Sequence, residues 1–126
     1  MLRTRELPAD STAPRQARRF IGHAGVHEDL SMAAQLLVSE LVSTCVRHEH
    51  AEDDVIAITV QDVNDCLRVD IAMRGIGRTV QVDERVLEET GIGLEIMNAL
   101  AYRWGVERDR HEWRGWFELR ADLPTD

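Results

Sequence analysis

Residues 27–48, HEDLSMAAQLLVSELVSTCVRH, put Leu30, Ala33, Ala34, Leu37, Val38, Leu41, Val42 and Cys45 at the i, i+3, i+4, i+7 spacing of a helix with one apolar face. His27, Glu28 and Asp29 open it, so the spacing predicts a long helix from 27 to about 48. Upstream, Ala13, Ala17, Phe20 and Ile21 repeat at the same interval and predict a helix over 13–24. Asp10 or Ser11 is its expected N-cap, and Gly22 and Gly25 mark its end. Downstream the period changes from helical to two. Residues 55–62 are a β-branched run, and residues 66–73 follow after Val63-Asn64-Asp65, which reads as a hairpin. In the second of these strands Leu67, Val69, Ile71 and Met73 share one face, and Arg68, Asp70, Ala72 and Arg74 the other.

The rest of the chain completes a layered pattern. Residues 2–7 suit an edge strand. Residues 74–93 are loop-rich, with a short helix expected near 83–89. Leu94, Met97, Leu100 and Ala101 share the face of a third helix over 94–102. Residues 103–108 and 113–120 form a closing hairpin, with Trp104, Trp113 and Trp116 packing across it. The predicted fold class is α+β, a two-layer sandwich with helices on one face of a mainly antiparallel sheet. A single domain over 1–126 is expected at this length.

Composition narrows the chemistry. All 15 basic residues are Arg, against 23 Asp plus Glu, for a net charge of −8. The absence of Lys excludes a P-loop lysine and a Schiff-base lysine. The acidic balance argues against broad nucleic-acid binding. Cys45 and Cys66 lie in apolar-periodic stretches and read as buried free thiols. No uninterrupted apolar run of about 18 residues stands out, and the first residues lack an apolar leader core. No membrane association and a cytoplasmic location are therefore expected.

Three polar segments fall where a pocket could form. Glu40, Thr44 and His48 are four apart, on one helix face. Met73-Arg-Gly75-Ile-Gly77 lies at a strand end, and Thr90-Gly91-Ile-Gly93-Leu94 opens a helix, where glycines let backbone N–H groups approach an anion. This order resembles the GHKL ATPases, the fold of gyrase, histidine kinases and the heat-shock chaperone. Residues 39–48, SELVSTCVRH, and 91–105, GIGLEIMNALAYRWG, are most similar to the anti-sigma-factor serine kinases of bacterial partner switching, above all to short actinobacterial relatives. Ala17-Arg18-Arg19-Phe20 resembles the first helix of that group. The likeness covers about 11–120.

The resemblance implies roles, position by position. Glu40 takes the place of the glutamate that activates the attacking hydroxyl. Thr44 stands where the family has a magnesium-binding Asn, with His48 one turn beyond. Met73 stands where the family has an Asp that accepts a hydrogen bond from the adenine amino group; Gly75 and Gly77 complete that box. Gly91, Gly93 and Leu94 form the box that closes on the phosphates, and residues 78–90 fill the ATP-lid position. ATP or ADP with magnesium is the implied cofactor, weakly held or absent. Met cannot accept a strong hydrogen bond from an amine. A lost partner of that kind costs about 1–3 kcal/mol, roughly tenfold to a hundredfold in affinity. The expectation is therefore a regulatory, anti-sigma-like protein with a degenerate nucleotide site and no kinase activity. The alternative is an active serine/threonine kinase of an anti-anti-sigma (STAS) protein. Partners implied are a sigma factor or such a STAS protein, contacted through Arg18 or, in the adjacent register, Arg19, together with a second copy in a homodimer.

Overall fold

A computed structural model describes residues 1–47, 54–74, 92–108 and 112–121. Period-two segments become strands and period-3.6 segments become helices, in the order β1 (Leu2–Pro8), α1 (Ala13–His23), α2 (Glu28–Arg47), β2 (Val55–Val63), β3 (Cys66–Arg74), α3 (Ile92–Leu100), β4 (Arg103–Arg108) and β5 (Glu112–Arg120). The strands form one sheet in the order β1-β2-β3-β5-β4, every pair antiparallel. This is the α+β arrangement expected from the sequence. The β2–β3 hairpin turns on Asn64 and Asp65, both at positive φ (54° and 61°). Two left-handed central residues match the right-handed twist of the flanking strands, and Asn and Asp tolerate that region better than other side chains.

The core lies between the helices and one sheet face. Leu37, Val38, Leu41, Val42 and Cys45 of α2 are buried against Ile56, Ile58 and Val60 of β2 and Leu67, Val69, Ile71 and Met73 of β3. Each fully buried aliphatic side chain contributes about 1.5–3 kcal/mol, which fixes the face α2 turns inward. By length and composition alone Glu28–Val46 could also cross a bilayer, a property the sequence reading had not assigned to it. Here its apolar face covers the sheet. On β5, Gly115 has no side chain because the Trp113 ring lies across it: a Cβ there would stand 2.8 Å from Trp113 Cη2 and 3.4 Å from Leu41 Cδ2.

Several local expectations are corrected. The N-cap of α1 is Thr12, without a side-chain cap bond, rather than Asp10 or Ser11. Asp10 instead accepts the Thr12 backbone N–H (2.8 Å) in a turn that precedes the helix. Gly22 lies inside α1, and only Gly25, at φ +80°, lies past its end. Leu100 is 42% exposed, because α3 runs Ile92–Leu100 and places Met97, not Leu100, in the core. Cys66, at the start of β3 beside the turn, is only half-buried. The expected helix near 83–89 and the lid at 78–90 lie outside the described residues.

The other sheet face carries ionic and aromatic side chains. Glu118, 6% exposed, accepts from Arg68 Nη1 (3.0 Å) and Arg103 Nε (2.9 Å), and the Arg68 guanidinium lies 4.4 Å from the Trp116 ring centroid. Burial alone would raise the Glu118 carboxyl, but the Arg103 and Arg68 hydrogen bonds outweigh it and hold it below its ordinary value of 4.5. A lowered folded-state pKa gives stability that is complete above the unfolded value and fades as pH falls through the folded one. Both arginines are partly exposed, so screening limits the gain to about 1 kcal/mol. Glu118→Gln is expected to lose that amount at pH 7 in urea unfolding. The gap to wild type should close as pH drops below the ordinary carboxylate range.

Candidate functional site

The first of the implied residues lie on α2. Glu40 is half-buried. Thr44 is 1% exposed, and its Oγ1 donates to the Glu40 carbonyl oxygen at 3.0 Å. That bond is the usual resting place of a Thr hydroxyl in a helix, and it commits the proton to the backbone. Cys45, beside it, faces the core, and burial pushes its thiol well above the ordinary value, away from nucleophilic use. His48 lies outside the described residues.

Met73 is the next. It is 0% exposed on β3, opposite Ile56 of β2 and Trp113 of β5. Alternation along β3 turns it inward with Leu67, Val69 and Ile71, so its thioether is part of the packed core. The Trp113 side chain is also fully buried, and its Nε1–H has no hydrogen-bond partner among the described residues. Sequence reasoning assigned Trp113 to cross-strand packing and missed this unpaired donor. Only the three-dimensional surroundings of an indole reveal whether its N–H is met.

Gly75, Gly77 and Gly91 lie outside the described residues. Gly93 and Leu94 fall in the first turn of α3, which begins at Ile92. An α-helix start directs free backbone N–H groups outward, the arrangement that suits a phosphate. The two candidate partner arginines part company on α1. Arg18 is half-buried and its Nη1 donates to Ser39 Oγ of α2 at 2.7 Å. Arg19 is exposed and lines a groove between α1 and β1. Ser39, quoted in the sequence only as the first residue of the α2 segment, is thus what anchors Arg18.

The described residues do not fit magnesium-ATP in the way the resemblance implies. A buried thioether offers an exocyclic amine no acceptor. A buried threonine already bonded to its own helix is a poor ligand for a hard cation. Among the described residues, no three His, Cys, Asp or Glu side chains converge to hold a metal.

The catalytic domain of histidine kinase ThkA superposes with a TM-score of 0.54 at 16% identity, covering 94% of this chain and 97% of that one. The histidine kinase domain of the blue-light activated histidine kinase from Erythrobacter litoralis EL346 gives a TM-score of 0.56 at 14% identity. That match covers 90% of this chain and 61% of the other, so this chain spans about three fifths of that relative's length. No protein with a curated description matches the sequence. At these identities the structural likeness establishes the fold alone. The sequence itself matches the family described as histidine kinase-, DNA gyrase B-, and HSP90-like ATPase over residues 29–125, most of the chain. Matched by that family over most of its length, this chain belongs to that ATPase family.

Proposed function

We propose that this chain is a partner-binding regulatory domain that keeps the ATPase fold but no longer reads adenine. It would act as an anti-sigma-like protein in partner switching, holding a sigma factor or an anti-anti-sigma protein without phosphorylating it. The observation that carries this is Met73, fully buried among apolar side chains at the position where the resemblance places the adenine-reading Asp. With the acceptor gone, a purine amine entering there would leave a hydrogen bond unmade, at a cost of about 1–3 kcal/mol. Thr44 adds to the loss, since its hydroxyl is committed to Glu40 and phosphoryl transfer depends on metal-assisted charge neutralisation. Release of a held partner would then rest on competition by another protein.

Isothermal calorimetry with magnesium-ATP tests the reading. The expected result is no saturable heat at roughly 1 mM nucleotide, the range in which binding falls to about 4 kcal/mol. Micromolar binding would defeat it. A second reading, an active serine kinase of a STAS protein, is supported by the Gly93-Leu94 turn at the start of α3. Transfer of the γ-phosphoryl group to a serine of such a protein would establish that one instead.

A further inference from the structure

We infer that the groove between β1 and α1 binds an extended acidic segment of a partner protein, which adds as a strand to the free edge of β1. The groove, about 830 Å3, is lined by Arg3 and Arg5 from β1 and by Arg15, Arg19 and His23 from α1, with no Asp or Glu among the described residues of its wall. Among the described residues none of the four arginines is ion-paired. Four guanidinium groups in one concavity of a chain with net charge −8 are the reverse of its overall electrostatics. Such a concentration of one sign draws an oppositely charged partner.

The backbone beneath the arginines supplies the second half of the site. Among the described residues β1 is an edge strand that pairs with β2 alone. The Met1 amine donates to the Asp62 carbonyl, and the Asp62 N–H donates to the Met1 carbonyl; at the other end the Ala9 N–H donates to the Asp54 carbonyl. Odd residues therefore bond inward to β2. Antiparallel ladders alternate, so Leu2, Thr4 and Glu6 direct their N–H and C=O groups outward. Pro8, which has no N–H, closes the run. On a neighbouring antiparallel strand, the residues opposite Arg3 and Arg5 would sit at the close, non-hydrogen-bonded positions and on the helix side of the sheet. A segment with carboxylates at alternate positions would thus meet Arg3 and Arg5 in succession, while Arg15 and Arg19, four apart on α1, approach from above. A second copy of this chain fits poorly. Antiparallel β1–β1 pairing about a two-fold axis sets Arg3 or Arg5 opposite another Arg at its centre, which is repulsive.

The inference rests on the partner-binding half of the proposed function and names the chemistry of what is bound. The test is fluorescence anisotropy with a labelled peptide of about eight residues carrying Glu at alternate positions and Thr between. A control peptide has the same sequence with alternate amides N-methylated. The alternating peptide should bind, and Arg5→Glu and Arg19→Glu should each weaken it by roughly tenfold or more, the effect of removing one charge-assisted hydrogen bond. N-methylation should weaken it at least as much, because it removes strand hydrogen bonds while leaving every charge in place. Equal affinity for the two peptides, or competition by inorganic polyphosphate as effective as by the peptide, would overturn the proposal in favour of a simple anion site. No binding, or self-association in sedimentation that Arg5→Glu abolishes, would overturn it as well. A protein partner captured equally by wild type and Arg5→Glu would remove this inference and leave the proposed function standing.

Discussion

Met73→Asp is expected to lower stability by about 2–4 kcal/mol at pH 7 in the absence of nucleotide. The side chain is 0% exposed, between Ile56 and Trp113 across the neighbouring strands. A carboxylate there would be stripped of water without a cation to meet it. The system would respond by raising its pKa, or by opening locally. For a domain whose total stability is about 5–15 kcal/mol, that is a large share, and it corresponds to a fall in melting temperature on the order of 10 °C. The sign of the pH effect follows from the raised folded-state pKa. The folded variant binds more protons than its unfolded chain, so its deficit should shrink as pH falls toward 5. Met73→Asn, neutral at all these pH values, should show a smaller loss and no such trend. Combining Met73→Asp with Thr44→Asn and adding magnesium-ATP asks whether the cleft is otherwise intact. A ligand at a hundred times its Kd restores about 2.7 kcal/mol, so a nucleotide-dependent rise confined to the double variant is the expected outcome. An unchanged melting temperature for Met73→Asp alone would mean that position 73 is open to water, and the account of the site would fall with it.

That prediction shows where sequence and structure divide the information. The alternation Leu67-x-Val69-x-Ile71-x-Met73 already placed Met73 inward, because a strand has only two faces and the apolar one seeks the core. The α2 face was equally plain: Leu37, Val38, Leu41, Val42 and Cys45 recur with a period no strand can satisfy, and all are buried. The Asn64-Asp65 turn could be read because few residue pairs accept two left-handed conformations. Helix ends were harder. Asp10 and Ser11 are both competent caps, and the choice of Thr12 depends on how the preceding turn uses the Asp10 carboxylate. The site was legible only in part. That Thr44 spends its hydroxyl on its own helix, that Ser39 holds Arg18, and that Arg3 and Arg5 share a groove with Arg15 and Arg19 are facts of long-range geometry. No local pattern encodes them. Arginines at 3 and 5 lie on one strand face and those at 15 and 19 on one helix face, but only the pairing of β1 beneath α1 brings the two sets together.

A pair of substitutions at Trp113 should separate packing from polarity in that core. Trp113→Ala is expected to cost about 3–5 kcal/mol, because the ring is fully buried and lies across Gly115, and its removal leaves a cavity the rigid sheet cannot close. In a urea titration this should move the midpoint far to the left with little change in slope. Trp113→Phe behaves differently. It gives up part of the apolar packing, but it also removes an N–H that is buried with no acceptor among the described residues. An unsatisfied buried donor costs about 1–3 kcal/mol, comparable to the packing energy given up, so the two effects offset and the variant should fall within about 1 kcal/mol of wild type. Thermal unfolding and urea midpoints on both variants decide the matter. If Trp113→Phe instead destabilises by about 3 kcal/mol or more, beyond what the smaller ring explains, the indole N–H has a partner in solution, and the region beside Met73 is more polar than its apolar neighbours imply. If both variants cost little, the ring is not a central packing element, and the 2.8 Å approach that forbids a side chain at Gly115 would no longer explain that glycine.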